Sequence, residues 1–155
     1  MKERQIRFSA PMVRAILDGS KTMTRRVVKQ DREGLLDCEP HPAWDAFWQC
    51  VACPYGKPGD RLWVASEIPG VGLRIPRILL EIVSVRVEKL QDISEADARA
   101  EGVKVDGNGH AVRDEVVNVG GARTAFAELW ESINGPDSWA ANPWVWVVEF
   151  RRAEP

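Results

Sequence analysis

Apolar residues recur along this chain with two different periods, and the places where the period changes predict its elements. Near the N-terminus the spacing predicts a short strand over 5–8. It is followed by a helix opened by Ser9-Ala-Pro11, striped by Val13, Ile16 and Leu17, and closed by Gly19, which can take the left-handed conformation. A second short strand is expected over about 23–28, and 30–58 reads as a Pro- and Cys-rich excursion without period. Lys57-Pro-Gly-Asp60 has the chemistry of a tight turn. It leads into the strand Arg61-Leu-Trp-Val-Ala65, and Pro69-Gly-Val-Gly is a second irregular piece.

The clearest strand runs from Ile78 to Glu88, with Val83, Val85 and Val87 on one side and Ser84, Arg86 and Glu88 on the other. Ser94-Glu-Ala-Asp97 has the form of a capping box, and the helix it starts should stop at Gly102, which leaves Glu101 in the last turn near the negative end of the helix dipole. Residues 104–121 read as a loop or hairpin around Asp106-Gly-Asn-Gly109. Phe126, Leu129, Trp130 and Ile133 mark an amphipathic helix stopped by Gly135-Pro136, and Trp144 to Phe150 forms a closing strand. Helices that interrupt short valine-rich strands without a regular βαβ alternation predict an α+β fold, a small curled sheet or barrel with helices at its side. Most of the seven tryptophans are expected in the core, and Trp139 is the candidate for stacking on a base.

At 155 residues with 45% hydrophobic content, the chain fits a single domain over 1–155. No apolar run approaches the roughly 20 residues of a membrane span, and Met1-Lys-Glu-Arg-Gln lacks a signal-peptide core, so a soluble cytoplasmic protein is expected. The 21 basic and 23 acidic residues give a formal charge of −2, which excludes a global field for polyanions. A local patch is the remaining route, from Arg14, Lys21, Arg25, Arg26, Lys29 and Arg32, with Asp18 and Asp31 as counter-charges.

Three cysteines argue against a disulfide framework. Cys38-x-x-His41 and Cys50-x-x-Cys53 have the spacing of a four-coordinate structural zinc site. Pro40, Pro42 and Pro54 crowd the ligand turns, and such pairs also arise by chance, so the metal-free reading is preferred. His110, among glycines, reads as a loop residue.

The densest chemistry lies in Gly19-Ser-Lys21-Thr-Met-Thr24-Arg25-Arg26. It is not a phosphate-cradling P-loop, because Ser20 stands between the glycine and the lysine and the first glycine is missing. In an extended strand Lys21 and Thr24 point to opposite faces, so any joint action of the two needs a bend.

Taken together, these segments resemble the ASCH domain of the PUA-like superfamily. The family's G-x-K-x-x-x-x-R is present as Gly19, Lys21 and Arg26. The resemblance is strongest to phage and prophage ASCH proteins, through Phe8 to Leu17, Cys53 to Val64, Leu90 to Ser94 and Ser132 to Pro136, and it covers nearly the whole chain. It implies a β-barrel flanked by helices with Lys21 beside a cleft. It also implies a catalytic set of Lys21, Thr24 and Glu101 like that of the amidohydrolases that deacetylate N(4)-acetylcytidine, with no cofactor needed for catalysis. Gly19, Arg25, Arg26, Tyr55 and Trp63 are the candidate substrate-binding residues. The implied partner is a modified nucleoside or RNA, with no membrane and no obligate protein partner. Two departures set this chain apart: the 30–58 excursion, and Ala65-Ser-Glu67-Ile-Pro after the Trp63 strand, where phage relatives carry an Arg-Glu pair. A non-catalytic RNA-binding module, with Lys21, Arg25 and Arg26 on phosphates, and a metal-independent ribonuclease are the alternatives.

Overall fold

The structure, a computed structural model, describes residues 1–28, 53–65, 78–104, 111–113, 116–118 and 121–153. The chain runs β1 (Glu3–Arg7), α1 (Ala10–Asp18), β2 (Met23–Val27), β3 (Arg61–Ala65), β4 (Ile78–Lys89), a 3-10 turn (Leu90–Asp92), α2 (Glu95–Ala100), β5 (Ala111–Arg113), β6 (Val116–Asn118), α3 (Ala122–Asn134) and β7 (Trp144–Ala153). Five strands form one sheet in the order β1-β3-β4-β7-β2, and β5 and β6 form a separate antiparallel hairpin. β1 and β3 are parallel, and the other pairs of the large sheet are antiparallel. The α+β class follows directly. Among the described residues the sheet is open, with β1 and β2 at its edges; the Arg26 guanidinium spans them, donating to the Arg7 carbonyl at 2.9 Å.

Each face of the sheet carries its own core. On one face Ile6, Leu62, Val64, Leu80, Ile82, Val148 and Phe150 pack with Val13 and Ile16 of α1. On the other, Met23, Val145 and Val147 pack with Ala98 of α2, Ala122, Phe126 and Trp130 of α3, and Leu90 and Ile93 before α2. β7 serves both because its alternate residues point to opposite faces. α2 is fastened at its N-terminal end. Its N-cap Ser94 accepts from Asp97 N at 3.0 Å, and the Glu95 carboxylate accepts from Ala122 N at 2.9 Å and Arg123 N at 3.0 Å, capping α3.

Several expectations shift in detail. Ser9 holds the N-cap position of α1 without a side-chain cap bond, and Leu17 is exposed. Val85 and Val87 share a face as expected, but a bulge between Ile82 and Ser84 leaves Val83 exposed. Ile133, expected in the apolar stripe of α3, is 65% exposed because that helix meets the sheet through its first three turns, at Ala122, Phe126 and Trp130. Of the 104–121 segment, the structure describes the antiparallel pair β5–β6, and the Asp106–Gly109 segment lies outside the described residues. Trp139 packs edge-on against Phe126 at 6.3 Å and lies under the Arg123 guanidinium at 5.3 Å, a core setting. Among the described residues no helix is long and apolar enough to cross a membrane.

Candidate functional site

The segment between α1 and β2 is fixed by its backbone before any side chain acts. Gly19 ends α1 at φ +86°, its N–H donating to Ile16 O at 3.2 Å, and Lys21 N then donates to Ala15 O at 3.0 Å. Thr22 N donates to Ala100 O at 2.8 Å, and Lys21 and Glu101 form an antiparallel bridge, so the start of β2 is stitched to the end of α2. Gly102 permits that approach. It sits at φ +99°, and a Cβ there would stand 3.1 Å from the Ala15 Cβ and 3.2 Å from the Lys21 Cβ.

This stitching brings Lys21 and Glu101, 80 positions apart, into one buried contact. Both residues are 4% exposed. The Lys21 ammonium donates to Met23 O at 2.8 Å, Glu101 O at 2.9 Å and Glu101 Oε2 at 3.0 Å, which uses all three of its hydrogens. Its Nζ also lies 5.5 Å from the Phe8 ring centroid. Burial holds Lys21 below the ordinary lysine value, Glu101 pulls the other way, and the positive charges of Arg26 and Arg25 add to the lowering.

Alternation along β2 sends its next residues to opposite faces. Arg25 pairs across the sheet with Val147, which in turn faces Arg86, on the α2 and α3 side; Thr24 pairs with Val148 on the α1 side. The Arg25 side chain is fully buried. Its Nη1 donates to Glu101 Oε1 at 3.1 Å and to Met23 Sδ at 3.2 Å; its Nη2 donates to Glu88 Oε1 and, at 3.0 Å, to Asp97 Oδ2. Arg86 closes the cluster from the solvent side, donating to Asp97 Oδ2 at 2.7 Å and Glu88 Oε2 at 3.5 Å.

Thr24, 4% exposed, accepts from Arg26 Nε at 3.3 Å. The Arg26 guanidinium stacks over Phe8 at 5.2 Å from the ring centroid, and Phe8 packs against Phe150 at 6.2 Å. Lys21 and Arg26 thus meet around one aromatic ring. Lys21 and Thr24 share no hydrogen bond in this resting arrangement.

The other singled-out residues fall elsewhere. Gly19 is an exposed helix stop. Tyr55 is half-buried against the α1-side core, and Trp63 on β3 lies across from Gln5 and Leu79. Cys53 is half-buried and free, and burial pushes its thiol up; Cys38, His41 and Cys50 lie outside the described residues, so three of the four members of the zinc set do too. Among the described residues no cluster of metal-ligating side chains forms. The basic stretch is not a continuous surface. Arg14 is exposed, whereas Lys21 and Arg25 are buried on carboxylates, and Lys29 and Arg32 lie outside the described residues. Sequence reasoning missed Glu88, Asp97 and Phe8 as members of this region. One signal was present: Asp97 and Glu101 are four residues apart on a helix, which places them on one face.

No protein-family model and no curated protein matches the chain. Solved structures do. The hypothetical protein PH0355 aligns at 13% identity over 99% of this chain and 100% of that one, with a TM-score of 0.50. Protein EF3133 from Enterococcus faecalis V583, of family model DUF984, aligns at 14% identity over 99% of this chain and 80% of that one, also at 0.50. The ASCH domain from Lactobacillus crispatus JV V101 aligns at 15% identity over 97% of this chain and 79% of that one, at 0.48. With PH0355 and EF3133 the chain shares its fold.

Proposed function

We propose that this chain is an ASCH, PUA-like protein of the phage or prophage type, with a sheet curled toward a barrel, and that it hydrolyses the amide of an acylated cytidine-type nucleoside, free or within RNA. Lys21, Thr24 and Glu101 are its catalytic set. The observation that carries this reading is the buried 3.0 Å contact between Lys21 Nζ and Glu101 Oε2. A buried ion pair is a costly fastening when apolar residues would hold the same elements, and such pairs recur where protons are moved.

In a dry site the proton on Lys21 can pass to Glu101 across that contact, leaving a neutral amine. Lys21 then takes the proton of the Thr24 hydroxyl, or of a water that Thr24 holds, as that oxygen attacks the acyl carbon. Arg26, already bonded to Thr24 Oγ1, lends positive charge to the developing oxyanion. When the C–N bond breaks, the leaving amine receives the proton from Glu101. If Thr24 attacks, water then releases the acyl group as a carboxylate; if water attacks, the carboxylate forms directly.

Phosphate capture by Lys21 and Arg25 is the weaker reading, because both cations are buried, Lys21 spends its three donors on Met23 and Glu101, and the two terminal nitrogens of Arg25 are taken by Met23, Glu101, Glu88 and Asp97. The test is chromatographic turnover of N(4)-acetylcytidine and a panel of other acylated cytidines by the wild type and Lys21→Ala. Release of cytidine that disappears in a folded Lys21→Ala protein is the expected result. Turnover that survives in that variant overturns the catalytic set. A wild type that releases nothing but binds RNA, with affinity falling steeply as salt rises, makes the binding module the better description.

A further inference from the structure

The Glu101 carboxylate is divided: Oε2 faces Lys21 at 3.0 Å, and Oε1 faces Arg25 at 3.1 Å. Arg25 is in turn held by groups from two other elements, Glu88 of β4 and Asp97 of α2, with Arg86 of β4 behind both. Its place is fixed by a planar fork. One nitrogen takes Glu101, the other takes Glu88 and Asp97, and the short polar reach of a lysine could not satisfy both ends. Arg25 lies on the α2 side of the sheet, away from Thr24 and Arg26, so it is not placed to touch a substrate held on the Thr24 side.

We propose that Arg25 is the positioning residue of the Lys21–Glu101 pair: it fixes which carboxylate oxygen Lys21 meets, and the Glu88 and Asp97 charges set how strongly it competes with Lys21 for Glu101. The inference rests on the catalytic reading of the same site for its kinetic arm, and on geometry alone for its titration arm.

The charges that bear on Lys21 are Glu101 from α2 and Arg25 and Arg26 from β2; α1 contributes Ala15 at this point, and its Arg14 and Asp18 are exposed. Arg25 is faced by Glu101 and Asp97 from α2 and by Glu88 from β4. Two variants should therefore move Lys21 in opposite directions. Arg25→Gln removes a like charge and leaves Glu101 undivided, so the ammonium is held more tightly. Glu88→Gln keeps the shape and the acceptor oxygen but strips a counter-charge from Arg25. The arginine then repels Lys21 more and claims more of Glu101.

The experiment is titration of the protein labelled with ¹³C at lysine Cε, following the Lys21 resonance in wild type, Arg25→Gln and Glu88→Gln. The expected result is a midpoint raised by ~0.5 pH unit or more in Arg25→Gln and lowered in Glu88→Gln. In parallel, kcat on an acylated cytidine that the wild type turns over should fall about tenfold to a hundredfold in Arg25→Gln with KM little changed. The Lys21 limb of the pH–rate profile should move in the same two directions. In folded variants, shifts of one sign, no shift at all, or a kcat that Arg25→Gln leaves unchanged overturns the proposal. Should Arg25→Gln fail to fold, Glu88→Gln decides alone: a lowered midpoint supports the proposal and an unmoved one ends it. A wild type without turnover removes the hydrolase reading, while the titration still decides whether Arg25 governs the pair.

Discussion

Asp60 and Glu101 are both buried carboxylates, and they are held in different ways. Asp60 lies at the end of the Lys57–Asp60 turn and accepts from Lys2 N at 3.0 Å, Lys57 N at 3.3 Å and the half-exposed Arg4 at 3.3 Å. Backbone N–H groups do most of the holding, and they draw its carboxyl below the ordinary aspartate value. Glu101 is held by two buried cations, Lys21 and Arg25. A carboxylate satisfied by backbone amides fastens the chain at little electrostatic cost. One matched against two desolvated cations sits in a balance that any proton or ligand can tilt. Asp60 is therefore a clasp, and Glu101 is the group that the proposed mechanism sets to work.

The largest break in that contrast is Glu101→Gln. It leaves the buried Lys21 without its counter-charge and takes one of three carboxylates from Arg25, and it is expected to cost about 3–5 kcal/mol in denaturant unfolding, with loss of turnover. Lys21→Met should cost less, ~1–3 kcal/mol, because Glu101 keeps Arg25 and the methionine fills the space, while turnover is again lost. That variant also tests the proton linkage. The folded-state value of Lys21 lies below its unfolded value of 10.5, so between the two the unfolded chain binds more protons, and the Lys21 contribution to stability rises with pH. Stability measured through that alkaline window should climb in the wild type relative to Lys21→Met.

Asp60→Asn should destabilise without touching turnover. Its deficit is present at neutral pH and fades as the wild type is acidified through its depressed Asp60 value, because a depressed carboxylate loses its contribution only there. Ser94→Ala removes the side-chain cap of α2 and should cost about 1 kcal/mol, with a small effect on turnover because Glu95 and the Thr22–Ala100 bond still hold the helix. Smallest is Arg4→Gln, whose half-exposed side chain is one of three donors to Asp60 and should be worth no more than about 0.5 kcal/mol by thermal denaturation.

Local chemistry was the legible part of this sequence. Gly19 as a left-handed stop, Ser94 as a cap, the Arg61–Ala65 strand and the alternation of Ser84, Arg86 and Glu88 all follow from signals a few residues long, and the structure has each. The pairing of Lys21 with Glu101 was reached by motif resemblance, since nothing local in either segment points to the other. Arg25 shows what local reasoning leaves out. Read from the sequence it belongs to a basic patch, yet strand alternation in β2, the register with β7 and β4 and the face of α2 together turn it inward onto three carboxylates. Only the assembled register brings Glu88 and Asp97 to the same guanidinium.

Arg26 has a consequence beyond the neighbourhood of Thr24. By donating to the Arg7 carbonyl it reaches from one border strand of the sheet to the other and occupies a main-chain acceptor that an incoming strand would otherwise seek. The same guanidinium, propped on Phe8, thereby guards the molecule against growing its sheet onto a neighbour's. Altering Arg26 would free that carbonyl on the β1 border, and self-association is expected alongside any loss of chemistry.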